Sequence, residues 1–133
     1  MAERKKILIA DDSPTSLVWE KLILADPSFE IVTASDGARA LELATTERPN
    51  LIVLDIVMPE MSGLEVCRRL RAKPETCMVP VIVVSERAEE SDVKAARDAG
   101  CSDFLKKPVD REALLQKVDG YLRRHRDRSS RPG

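Results

Sequence analysis

The chain alternates between short unbroken apolar runs and longer segments whose apolar residues recur at helical spacing. Ile7-Leu8-Ile9-Ala10, Leu51-Ile52-Val53-Leu54 and Val81-Ile82-Val83-Val84 are continuous and rich in β-branched residues. Such runs suit strands buried on both faces of a parallel sheet. They predict a first strand over Lys5 to Ala10, a central one over Leu51 to Leu54 and a fourth over Val79 to Ser85. Phe29 to Ala34 and Asp103-Phe104-Leu105 supply the second and last strands.

Between these runs the period changes to that of a helix. Ser13 is a good N-cap and Pro14 a good first helical residue, so a helix opens there and runs to about Ala25, before Pro27. Val18, Trp19, Leu22 and Ile23 share one face of it and are the predicted core stripe. Leu17 and Leu24 fall on the other side, between Glu20 and Lys21, either as isolated exposed leucines or as a partner contact. Ser35-Asp36-Gly37 opens a second helix, to about Thr46, with Ala40, Leu41, Leu43 and Ala44 inward. After Pro59 and Gly63 a third helix, Leu64 to about Ala72, turns Val66, Cys67 and Leu70 inward and ends before Pro74.

A fourth helix, from about Ala88 to Ala99, differs in kind. Val93 is its one sizeable apolar residue, helped by Ala95, Ala96 and Ala99, so it is predicted to be loosely held. Gly100 is its C-cap. Asp110 caps a last helix to about Arg124, with Leu114, Leu115, Val118, Tyr121 and Leu122 inward. Strict strand–helix alternation with short loops predicts one α/β domain over residues 1–124, a parallel sheet with helices on both faces. Residues 125–133 read as an Arg-rich, disordered tail, a solvated terminus before they read as a nucleic-acid contact.

Composition narrows the function classes. The 133 residues carry 22 basic and 23 acidic side chains, so no global field recruits nucleic acid or membrane. No apolar run is long enough to span a bilayer and no signal peptide opens the chain, which leaves a cytoplasmic expectation without membrane insertion. Cys67, Cys77 and Cys101 lack CxxC spacing and read as reduced thiols. With His125 the single histidine, a His-based metal or catalytic site is not expected.

The chemistry gathers at strand ends. In an open α/β sheet the C-terminal ends of the strands share one edge, where ligands bind. Here those ends carry Asp11 and Asp12, Asp55, Ser85 and, just after the last strand, Lys107. Clustered carboxylates resist ionising together unless a cation is present. An all-oxygen donor set suits Mg²⁺, which leaves coordination sites for phosphate oxygens. Ser85 and Lys107 would donate from the other side, and phosphoryl transfer to a carboxylate is the chemistry this suggests.

With Asp11-Asp12, the Asp55-x-x-Met58-Pro59 segment, Gly63, Ser85 and Lys107-Pro108 in this order, the sequence resembles the receiver domains of two-component response regulators over about residues 5 to 124. The resemblance implies a flavodoxin-like sheet of order 2-1-3-4-5 flanked by five helices. It implies that Asp55 is the phosphoacceptor and that Asp11 and Asp12, with Asp55 and the backbone carbonyl of Val57, hold Mg²⁺. Lys107 and Ser85 would contact the phosphoryl group, and Phe104 would be the aromatic switch that turns inward with Ser85. The Lys107–Pro108 peptide bond is usually cis in such domains.

The implied function is a single-domain signalling switch rather than an enzyme, although it assists its own phosphotransfer and dephosphorylation. Its partners would be a sensor histidine kinase or phosphotransfer protein and a downstream protein target in trans, with no DNA-binding domain of its own. Glu86 departs from the small residue usual after the strand-ending serine, and either points into solvent or crowds the incoming phosphate. It supports the alternative of a pseudo-receiver that binds proteins independently of phosphorylation. A flavodoxin-like cofactor domain is discounted, because the loops lack a Gly-rich or Ser/Thr-rich phosphate cradle.

Overall fold

The computed structural model describes residues 4–130, with side chains through Arg123. Its elements alternate without exception: β1 (Lys5–Ala10), α1 (Pro14–Ile23), β2 (Phe29–Ala34), α2 (Gly37–Glu47), β3 (Leu51–Asp55), α3 (Gly63–Ala72), β4 (Val81–Ser85), α4 (Glu90–Asp98), β5 (Asp103–Lys106) and α5 (Arg111–Ser130). The strands pair in parallel in the order β2-β1-β3-β4-β5, the doubly wound flavodoxin-like arrangement. Alternate residues of each central strand face opposite sides, as the pleat requires. Leu8, Ile52, Leu54, Val81 and Val83 pack on one side with Ala40 and Ala44 of α2, Val66 and Leu70 of α3, and Ala96 of α4. Ile7, Ile9, Leu51, Val53, Ile82 and Val84 pack on the other with Ile23 of α1 and Leu114, Val118 and Leu122 of α5.

The helices start where short polar side chains can cap them. Ser13 Oγ accepts from the Ser16 N–H at 3.3 Å, Asp36 Oδ1 from the Arg39 N–H at 2.7 Å, and Asp110 Oδ2 from the Ala113 N–H at 2.9 Å. The expected start of α4 at Ala88 gives way to Glu90, because Glu89 and Asp92 form a reciprocal capping box. Within α4 only Ala96 is buried, which bears out the thin packing expected of it. Helix α5 continues beyond the expected end at Arg124 to Ser130. The tail expected over 125–133 falls on residues whose side chains, and from 131 onward whose placement, lie outside the described residues.

One expectation is overturned. Val18, Trp19 and Leu22, expected in the core, are exposed at 58%, 43% and 62%. Ile23 is buried as expected, but its partners in the buried stripe are Glu20 and the capping residue Leu24, with Leu17 packed beside them. Four apolar residues mark the expected side and two leucines the other, yet of the four only Ile23 is buried, so hydrophobicity alone does not orient this helix. The choice falls on the side that includes a carboxylate. Leu24→Ala is expected to lower unfolding free energy by roughly 2–4 kcal/mol, because a fully buried leucine leaves a cavity. Leu22→Ala, on the solvent side, should stay within about 0.5 kcal/mol of the parent. Urea melts of both variants check the orientation, and equal losses would contradict it.

Candidate functional site

At the C-terminal edge of the sheet the strands hand their chain to loops that carry the polar groups. Asp11 follows β1 and is fully buried. Its Oδ1 accepts from the Ser13 N–H at 2.9 Å and its Oδ2 from the Lys107 ammonium at 2.8 Å. Asp55, the last residue of β3, is 4% exposed. Its Oδ1 accepts from the Val57 N–H at 3.4 Å, and its Oδ2 lies 3.4 Å from Lys107 Nζ. Asp12 is solvent-facing, yet carboxylate oxygens of Asp11, Asp12 and Asp55 all lie within 4.8 Å of one another.

The loop after Asp55 is held by close backbone approach. The Gly63 N–H donates to the Ile56 carbonyl at 2.7 Å, and a Cβ on Gly63 would stand 2.1 Å from the Asp55 carbonyl oxygen. Only glycine fits there. From the other side, the Lys107 N–H donates to the Ser85 carbonyl at 2.8 Å, which locks the end of β5 to the end of β4. The Lys107–Pro108 bond is cis. Ser85 is buried and its Oγ accepts from the Arg87 N–H at 3.1 Å.

Five of the residues singled out in the sequence line one cavity of about 210 Å³: Asp12, Asp55, Val57, Ser85 and Lys107. Asp11 joins them through its ion pair with Lys107. Phe104 does not. It is half-buried and packs against the core beneath α2, α3 and α4, paired in register with Val83. Glu86 is exposed and lines the same cavity as Asp55.

The electrostatics follow from burial. Loss of water, then the Asp11 charge, pushes the Asp55 carboxyl up to about 6, against the pull of Lys107. Burial alone would lower the Lys107 ammonium, but its hydrogen bond to Asp11 and the Asp55 charge hold it above its ordinary value. Three carboxylates clustered with no nitrogen or sulfur donor fit a hard divalent cation such as Mg²⁺.

Glu20 was not singled out as a site residue from the sequence. It is 1% exposed, and no donor faces either oxygen of the ionised carboxylate; protonated, it hydrogen-bonds to Asp11. Burial, then the Asp11 charge, raises its carboxyl to about 8. The signal was present in the spacing Leu17, Glu20, Leu24, which puts the carboxylate inside the stripe once those leucines are taken as core. Because the folded-state value exceeds the ordinary 4.5, the native state binds the extra proton between those limits. Stability from this group is therefore complete below about pH 4.5 and is lost as pH rises through about 8. With divalent cations chelated, the parent's thermal midpoint should fall between pH 5 and 8 by an amount on the order of a few kcal/mol in stability. Asp55, raised to about 6, contributes to the lower part of this slope, so Glu20→Gln should reduce it chiefly between pH 6 and 8, and an unchanged slope there would place the proton elsewhere.

Comparison with known proteins follows the same lines. Residues 7–119 match the sequence model of the response regulator receiver domain. Protein PilH of Pseudomonas aeruginosa is 36% identical over 117 residues, covering 88% of this chain and 97% of that protein. The alkaline phosphatase synthesis transcriptional regulatory protein PhoP of Bacillus subtilis is 36% identical over 120 residues, but the chain spans only 49% of it. The receiver domain of a Pseudomonas aeruginosa sensor histidine kinase, solved with a magnesium ion coordinated in its active-site cleft, superposes with a TM-score of 0.83 at 25% identity, covering 90% of this chain and 98% of that one. A match over most of the chain, together with a relative of nearly the same length, identifies the protein as a member of the response regulator receiver domain family.

Proposed function

We propose that the protein is a phosphorylation-dependent signalling switch in which Asp55 accepts a phosphoryl group from a histidine kinase or phosphotransfer protein. The observation that carries this reading is the meeting of Asp55 with Asp11, Asp12 and Lys107 in one crevice at the sheet edge. Asp55 is buried enough to be held in one orientation, while the cavity in front of it leaves room for a phosphoryl group. Its carboxylate oxygen would form the new O–P bond as the P–N bond of a donor phosphohistidine breaks, leaving an aspartyl phosphate. Asp11, Asp12 and Asp55, with the Val57 carbonyl, would hold Mg²⁺. When bound, that ion would neutralise charge on the transferring oxygens. Lys107 supplies a point charge on a flexible stem, able to leave Asp55 for a phosphoryl oxygen. Ser85, at the end of β4 beside Asp55, is in position to donate its hydroxyl to the phosphoryl group.

The output would follow from repacking of a thinly held element. Helix α4 buries only Ala96, and Phe104 on the neighbouring strand is half-buried, so both can move at small cost. Phe104 turning inward as Ser85 moves would change the face presented to a downstream protein in trans. The apolar residues on the outer side of α1, Val18, Trp19 and Leu22, support a docking surface for the phosphodonor beside the site. Among the described residues no helix is long and apolar enough to cross a membrane. A cytoplasmic location, with the free thiols of Cys67, Cys77 and Cys101 kept reduced, belongs to the same proposal.

Glu86 is the observation that favours a second reading, a pseudo-receiver that binds partners without being phosphorylated. Intact-mass spectrometry after incubation with acetyl phosphate separates the two. The parent should gain one phosphoryl group only with Mg²⁺, Asp55→Asn none, and Lys107→Ala about 10²-fold more slowly. No gain under any condition would favour the pseudo-receiver. Glu86→Ala should speed the parent reaction by roughly two- to fivefold, the effect of removing one exposed negative charge near the path of an anion. An unchanged rate would mean that the Glu86 carboxylate stands clear of that path.

A further inference from the structure

Helix α1 spends a core position on a carboxylate. Glu20 sits in the buried stripe with Ile23, no donor faces either of its oxygens among the described residues, and the group it lies against is another acceptor, Asp11. A buried carboxyl without donors is costly, and an apolar residue at this place would pack without that cost. The site explains where a donor could come from. Glu20 and Lys107 line a common cavity of about 550 Å³, walled by Trp19, Pro108 and Val109. The Lys107 ammonium has three donor hydrogens, and its present acceptors are Asp11 at 2.8 Å and Asp55 at 3.4 Å. Both acceptors belong to the carboxylate cluster that fits a divalent cation.

A cation taking up those oxygens competes with Lys107 for them, and a buried ammonium stripped of acceptors is as costly as the carboxyl. We propose that Glu20 is a positioning residue that receives the Lys107 ammonium when a divalent cation occupies the Asp11–Asp12–Asp55 cluster. One group short of donors and one short of acceptors then satisfy each other across the cavity they share. Glu20 touches neither the cation nor the phosphoryl group. It acts through Lys107, holding the ammonium beside the crevice until phosphoryl oxygens replace it as acceptor. The inference rests on the metal-binding part of the proposed function.

The chain's single tryptophan, Trp19, lies on the wall of this cavity and reports on it directly. Mg²⁺ is titrated into parent, Glu20→Gln and Glu20→Leu, following Trp19 fluorescence and, independently, heat of binding. Leucine removes the acceptor and should weaken Mg²⁺ binding about tenfold, the size of one charged hydrogen bond. Glutamine keeps an acceptor oxygen and should stay within about threefold of the parent. Leucine should also raise the thermal midpoint of the metal-free protein, which a purely structural role would do as well. Equal Mg²⁺ affinity in parent and Glu20→Leu, with only the thermal midpoint changed, overturns the proposal. If the leucine variant does not fold, a crystal structure of the Mg²⁺-loaded parent decides. Lys107 Nζ within hydrogen-bond distance of Glu20 supports the proposal, and Lys107 still bonded to Asp11 overturns it. A parent that binds no Mg²⁺ at all removes the metal reading itself and the proposal with it.

Discussion

At the sheet edge a single ammonium group stands between two buried carboxylates. Lys107 Nζ lies 2.8 Å from Asp11 and 3.4 Å from Asp55, and both acids are almost closed to water. Two carboxylates this close cannot both ionise cheaply in a desolvated crevice, which is why Asp55 is pushed up to about 6 even with Lys107 beside it. The arrangement is therefore tuned to positive charge. A lysine holds the carboxylates together, and a divalent cation or a phosphoryl group at the site would change the terms of that contact. In the proposed switch, chemistry and switching would depend on the same small balance.

The fold keeps that balance sharp by fixing the backbone around it. Gly63 approaches the Asp55 carbonyl too closely for any side chain, and the Ser85–Lys107 backbone hydrogen bond fastens β5 to β4 at the level of the site. The opposite end of the sheet is stapled by Arg71 of α3. Its guanidinium donates to the Gly100 carbonyl at 2.8 Å and the Val79 carbonyl at 2.7 Å, tying the loops before β4 and β5 together. Gly100 has φ +102°, and a Cβ there would press on Arg71 at 2.7 Å, so this staple also demands glycine. Between these two fixed ends α4 is the thinly packed element. In the proposed switch, a charge change at the site would be absorbed where the packing is weakest.

Much of this was legible in the chain, because most of its elements carry one unambiguous period. Continuous runs such as Val81 to Val84 suit strands buried on both faces, and their order put Asp11, Asp55, Ser85 and Lys107 on one edge. Helix α1 was not legible in the same way. Its expected stripe, Val18, Trp19, Leu22 and Ile23, carries more apolar residues than the side with Leu17 and Leu24, yet the true core stripe is Glu20, Ile23 and Leu24. A rule that keeps carboxylates out of cores picks the wrong face. That failure falls beside the site, where local preference yields to function. The start of α4 was missed for a simpler reason, since the Glu89–Asp92 capping box reads as two more surface acids until the backbone is seen.

The misread helix also links the two sides of the crevice. Its inner side carries Glu20 into the cavity shared with Lys107, and its outer side presents Val18 and Leu22 to solvent. Trp19 joins the two, because its indole N–H donates to the Val109 carbonyl at 2.9 Å, just past the Lys107–Pro108 bond. A protein that covered Val18 and Leu22 would press on the same helix that orients Glu20 and on the loop that carries Lys107. Docking there and charge placement at the crevice would then be mechanically one event on α1. A sequence that wanted only a stable helix here would have put leucine at position 20 and a polar residue at 22. The reversed choice at both positions fits a helix kept as the face through which a partner would reach the proposed phosphoacceptor, Asp55.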